Sequence, residues 1–132
     1  CSPALLKVGP PLREPADLRR YTLLHGRRGV EWGLWLKAQG VEGVDATRGP
    51  RFSDDALALE AAIEGQGVAI SRDALVSADV AEGVLLKPFD LTTPDHFAYF
   101  LVCPEETADF PKIAAFREWV LEEARRPLVR GV

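Results

Sequence analysis

Apolar positions along this chain fall into short runs whose period switches between that of a helix and that of a strand. The most informative run is FSDDALALEAAIEGQGVAI, Phe52 to Ile70. A short strand is predicted to end at Phe52. Ser53 is placed as the N-cap of a following helix, with Asp54 and Asp55 in its first turn, where carboxylates favour the helix dipole. The helix is expected to run to about Glu64 and to close at Gly65. Beyond its first turn the polar residues are Glu60 and Glu64, one i,i+4 stripe, and the rest is Leu, Ala or Ile. A helix lying on a sheet needs only one buried stripe. Leu57, Leu59 and Ile63 are therefore expected to meet a second surface, either another subunit or another part of the same chain. Gly67–Ser71 is a continuous apolar run after a glycine, the pattern of a strand buried on both faces. Strand, helix and strand in that order predict a βαβ unit with parallel strands and a right-handed crossover.

The same reading extends to the rest of the chain. Tyr21–His25 (YTLLH) is a short strand, preceded by a helical turn that Pro15 suits at its first position. VEWGLWLKAQG reads as a helix from Val30 with Gly40 at its C-cap. RDALVSADVAEG is a short helix and turn, and Val84–Phe89 a strand. His96–Cys103 (HFAYFLVC) carries the strongest strand pattern. Asp109 is placed as the cap of a helix over Phe110–Arg126, with Ile113, Phe116 and Val120 on one face, and a loose tail follows. Strands alternating with helices predict an α/β layered fold. No internal repeat is visible.

Composition narrows the function. The 132 residues are 47% hydrophobic and 27% charged, with net charge −4. That is one globular domain, and its acidity argues against nucleic-acid contact by this piece. No run approaches the ~18 apolar residues of a membrane span. The chain begins at Cys1 and contains no methionine, which suggests a piece of a longer protein. A mature lipoprotein also begins with cysteine, but the apolar SPALLKVG that follows does not resemble a polar tether. Cys1 and Cys103 have no close-spaced partners and read as small buried residues of a reducing cytosol, with a disulfide between them left open.

Candidate chemistry gathers at strand ends, because ligands of open α/β sheets bind beyond the carboxyl ends of the strands. Three such ends are legible: His25–Gly26, Phe52–Ser53–Asp54 and Ser71–Arg72. A helix N-terminus there suits a carboxylate, and Arg51 and Arg72 offer bidentate partners, although Asp54 and Asp55 place charge of the wrong sign at the same end. Plain roles compete: capping for Ser53, a solvated surface for Arg72, loop lining for His25. His25 and His96 lack a third ligand at metal spacing, so no metal site is expected. Gln66 between Gly65 and Gly67 follows a helix rather than preceding one, so GQG is a cap and turn, not a phosphate loop. Trp32, Trp35 and Trp119 are packing anchors. There is no Gly-x-Ser-x-Gly elbow. His96 and Cys103 lie at odd spacing on one strand, hence on opposite faces. No catalytic residue and no cofactor are expected.

The stretches CSPALL, GPRFSDDALALEAAIEGQGVAI, KPFDL and FAYFLVCPE…PKIAAFREWVLEEAR resemble the effector-binding domain of LysR-type transcriptional regulators, in the subgroup of the glycine-cleavage activator. The resemblance spans nearly the whole chain. It implies a fold like the type II periplasmic binding proteins: two α/β lobes, a cleft between them and crossover strands as a hinge. Residues from about 12 to 88 would form the second lobe. Residues 96–126 would form a returning hinge strand, with Phe97 and Tyr99, and the C-terminal helix of the first lobe. The winged helix-turn-helix and most of the first lobe would lie outside this chain. The implied function is small-molecule sensing in the cytoplasm, with a carboxylate or amino-acid-like effector and self-association as a homodimer or tetramer. DNA contact would come only through the absent N-terminal part, with no membrane contact. The competing class is a solute-binding protein of a transport system with the same fold.

Overall fold

The computed structural model describes residues 1–94 and 99–125. The chain divides into a unit from Cys1 to Thr93 and a second from Pro94 onward. In the first unit the elements are α1 (Pro3–Val8), a 3-10 turn (Pro15–Arg20), β1 (Leu23–Leu24), α2 (Glu31–Ala38), α3 (Asp55–Ile63), β2 (Val68–Ala69) and α4 (Asp73–Ala81). The second holds a 3-10 turn (Glu105–Thr107) and α5 (Pro111–Arg125).

The sheet is small and parallel. Leu23 pairs with Val68 and Leu24 with Ala69. On the other side of β1, His25 forms a parallel bridge to Arg51: His25 N–H donates to Pro50 O at 3.0 Å and Phe52 N–H to His25 O at 2.9 Å. The strand position before α3 and the strand after it thus flank β1 instead of pairing with each other. The expected parallel crossover is present, with β1 inserted at its centre.

Alternation along β1 explains the two layers around it. Successive side chains point to opposite faces. Leu23 and Val68 join Leu18, Tyr21, Trp32, Trp35 and Leu36 in one buried cluster. Leu24 joins Ala58, Ala61, Ala62 and Leu85 in another, with Ala69, Leu59, Ile63 and Val76 packed against it. Each face of the sheet is therefore covered, as the apolar run at Gly67–Ser71 required. α3 meets the sheet along Ala58, Ala61 and Ala62, an i, i+3, i+4 seam of small side chains that lets the helix backbone come close. Leu59 and Ile63 find cover within the chain, while Leu57 stays 49% exposed.

Local sequence accounts for the helix ends. α1 has no counterpart among the sequence expectations; Ser2 caps it, accepting from Leu5 N–H at 3.3 Å, with Pro3 in the first turn. Asp17 accepts from the N–H groups of Arg13 (2.9 Å) and Glu14 (3.2 Å) and pairs with Arg20. The Arg13 N–H foremost, then those other donors, hold its carboxyl below the usual value. Gly40, Gly65 and Gly83 all have positive φ at the turns after helices, as the glycine C-cap pattern predicts.

Five expectations are corrected. Ser53 is not the N-cap of α3: Asp54 is extended and its carboxylate accepts from Ala56 N–H at 2.8 Å. An aspartate one residue nearer the helix outcompetes the serine for the same donors. Val84–Phe89 forms no strand; Leu86 exchanges both backbone hydrogen bonds with Cys1 (2.8 and 3.1 Å), a single pair with no neighbour to extend it. Residues 99–103 form no strand either, and Tyr99 is 76% exposed. A segment without a neighbouring edge gains no ladder, however strong its β-propensity. Residues 96–98, with Phe97, and the tail from 126 lie outside the described residues. α5 begins at Pro111, one residue later than a cap at Asp109 requires. Trp119 is 56% exposed and stacks at a tilt on Phe116, centroids 5.9 Å apart, so of the three tryptophans only Trp32 and Trp35 are core anchors.

Candidate functional site

Because β1, β2 and the Arg51 position run parallel, their chains leave the sheet at one edge. His25 and Gly26 follow β1, Phe52 and Ser53 follow Arg51, and Ser71 and Arg72 follow β2. The Phe52 N–H to His25 O bond joins the first two ends directly. The N-terminus of α3 opens at the same edge.

Gly26 is buried against Asp55, whose Oδ1 would overlap any Cβ placed there. That closeness lets the same oxygen accept from Arg27 N–H at 3.0 Å. The two aspartates at this helix end therefore serve backbone donors: Asp54 caps α3 and Asp55 ties down the loop after β1. Arg51 passes over Gly29, whose φ of 67° and bare Cα leave room for the guanidinium. Ser53 and Asp54 are exposed, whereas Ser71 and Arg72 are half-buried. The Ser71 hydroxyl is sealed from solvent with no partner among the described residues.

His25 holds the edge together. It is 3% exposed. Its Nε2 lies 3.2 Å from Arg48 O, and a carbonyl only accepts, so the proton sits on Nε2. Nδ1 is buried without a partner among the described residues. Backbone and ring of His25 thus both grip the Arg48–Phe52 segment. Trp32 adds a brace from below, donating from Nε1 to Leu24 O at 3.1 Å.

Sequence reading located the three strand ends but missed Asp55 as the loop tie and Arg48–Pro50 as the segment bolted to β1. The available signal was Gly49-Pro50, a dipeptide that marks a special backbone conformation. Tyr99 lies in the second unit. Among the described residues no group of His, Cys, Asp and Glu is arranged to hold a metal ion, and no helix is long and apolar enough to cross a membrane.

Parallel strand ends and a helix N-terminus at one edge of a sheet covered on both faces are the arrangement of an α/β lobe of the type II periplasmic-binding-protein kind. The sequence matches the LysR substrate binding domain over residues 1–125, and the chain belongs to that family. It is 39% identical over 124 residues to the glycine cleavage system transcriptional activator of Escherichia coli K12, covering 94% of this chain and 41% of that protein. It is 34% identical over 119 residues to the HTH-type transcriptional activator AmpR of Pseudomonas aeruginosa, covering 89% and 40%. The AmpR effector binding domain from Citrobacter freundii superposes with a TM-score of 0.74 at 29% identity, over 93% of this chain and 62% of that one. The effector domain of Pseudomonas aeruginosa AmpR gives 0.65 at 29%, over 94% and 59%. The chain spans about two fifths of the length of the curated relatives it matches. Those relatives are bacterial transcription regulators.

Proposed function

We propose that this chain is the effector-sensing part of a cytoplasmic LysR-type transcription regulator. Residues from about 12 to 88 supply one lobe, and residues 96–126 belong to the other. The observation that carries this is the convergence of three parallel strand ends and the α3 N-terminus at one edge, in a chain similar to effector-binding domains of activators. The effector is a small carboxylate, amino-acid-like in keeping with the likeness to a glycine cleavage activator. Its carboxylate meets the helix end, Ser53 and Arg72, with His25, Gly26, Phe52, Asp54 and Ser71 around it. DNA contact is assigned to the part of the relatives outside the match, because this piece carries net charge −4. A small molecule bound at this edge acts by its differential affinity for two arrangements of the regulator.

Calorimetric titration of amino acids and short peptides into the chain, completed with the first-lobe sequence, tests the reading. Each of Ser53→Ala and Arg72→Ala is expected to weaken the bound carboxylate. For the arginine, a charged hydrogen bond of about 1.5–3 kcal/mol corresponds to a loss of roughly tenfold to a hundredfold. Unchanged affinity in both variants removes this edge as the site. A solute-binding protein would share the edge; an upstream secretion signal in place of a helix-turn-helix would decide for it.

The same reading assigns self-association to α3, as a homodimer or tetramer. Leu57 offers the exposed apolar contact, and Leu59 and Ile63 flank it, half-buried. Leu57→Glu is expected to shift sedimentation of the completed domain towards the monomer. An unaltered profile with an intact fold would exclude α3 as the contact.

A further inference from the structure

A hollow of about 190 Å³ opens beside Leu23, lined by the segment between α2 and Arg51 and by the turn before β1. Its inner wall is apolar: Leu18, Tyr21 and Leu23 are buried and Val44 is half-buried. Its exposed lining side chains are Arg19, Arg48 and Asp45. This is not the strand-end edge described above, and none of the effector residues named there lines it.

The charges around the hollow do not cancel. Asp45 is already engaged, its Oδ1 accepting from Thr47 Oγ1 at 2.7 Å and Thr47 N–H at 2.9 Å. The Thr47 hydroxyl and N–H, with Arg48 nearby, hold its carboxyl below the usual value. Arg19 has no carboxylate partner among the described residues. Two guanidiniums and one occupied carboxylate leave a net positive rim over an apolar wall. Size limits the occupant. A cavity of about 150 Å³ takes a benzene ring, whereas drug-sized ligands need at least about 300 Å³.

We infer that this hollow is a second small-molecule site, accepting a short carboxylate with a single-ring or similarly compact apolar body. The carboxylate lies between Arg19 and Arg48, and the body lies against Leu18, Tyr21, Leu23 and Val44. Arg48 also carries the carbonyl that accepts from His25 Nε2, and Pro50, two residues on, accepts from His25 N–H. A ligand that draws Arg48 over the hollow therefore pulls on the residue gripping the strand-end edge. Binding at the hollow stands independently of the proposed function; only its influence on effector affinity rests on that reading.

Benzoate is the probe, titrated into the chain completed with the first-lobe sequence and followed by amide chemical shifts. The expected result is saturable movement of Gly43, Val44 and Asp45. Arg48→Gln is expected to weaken binding about tenfold, the loss of one charge-assisted contact. Arg19→Gln is expected to weaken it similarly, and Lys7→Gln, an exposed cation on α1, to leave it unchanged. Both lining arginines are exposed, so these variants keep the fold, which circular dichroism checks; Val44→Phe, which fills the hollow, should abolish the shifts. Absence of saturable movement at Gly43–Asp45 up to the solubility of benzoate overturns the site, as does binding indifferent to both arginine changes. Movement confined to Gly26, Ser53 and Ser71 overturns it too, while leaving the effector reading standing.

Discussion

Gly49→Ala is expected to cost about 3 kcal/mol or more of folding stability, a large part of the 5–15 kcal/mol that holds a domain together. Gly49 has φ of 122°, where a side chain is strained. A Cβ there would also overlap the carbonyl oxygen of Leu23, backbone at the centre of the sheet that cannot swing aside. Relief requires the 48–52 segment to back away from β1. That movement breaks the bonds from His25 N–H to Pro50 O and from Phe52 N–H to His25 O. The site edge and the sheet therefore fail together. Gly43→Ala is the control: its φ is 77°, but nothing lies within 4 Å of the added carbon. It should cost only the backbone strain, roughly 1 kcal/mol. Urea denaturation midpoints compare the two; equal losses would show that the approach to Leu23 contributes nothing.

Removal of the Trp32 indole is the other large effect. Trp32 is buried, packs edge-on to Trp35 with centroids 6.0 Å apart, and bonds Leu24 O. Trp32→Ala leaves a cavity beneath β1 and is expected to cost about 3–5 kcal/mol. Trp32→Phe keeps most of the ring volume but strips the donor from Leu24 O. Its expected cost is about 0.5–1.5 kcal/mol, the net contribution of one such hydrogen bond. Thermal or urea unfolding separates the two contributions. If the phenylalanine variant matches the native chain, the Nε1 bond adds nothing to stability.

Much of the fold could be read from local pattern. The α3 helix, its glycine stop, the buried run after it and the parallel relation of the strands all follow from period and capping chemistry within nineteen residues. The strand-end positions of His25, Phe52 and Ser71 follow from the same topology. What escaped was set by partners distant in sequence. Ser53 and Asp54 are both good caps, and α3 starts one residue later than expected, with Asp54 at the cap. Tyr99–Cys103 has the composition of a strand, but composition does not supply the neighbouring edge. Val84–Phe89 is reduced to one backbone pair for the same reason. His25 looked like a loop-lining polar group. Its grip on Arg48 depends on a contact spanning 23 residues, which no periodicity reports.

The alanine seam of α3 separates fit from contact. Ala58, Ala61 and Ala62 are buried against the sheet, and their bulk sets how near the helix axis lies to it, and so where its positive end points. Enlarging one of them would displace that end by a fraction of an ångström and re-aim every donor on it. In the proposed site, selectivity would thus drift through substitutions at this seam, with no change in the residues assigned to the effector.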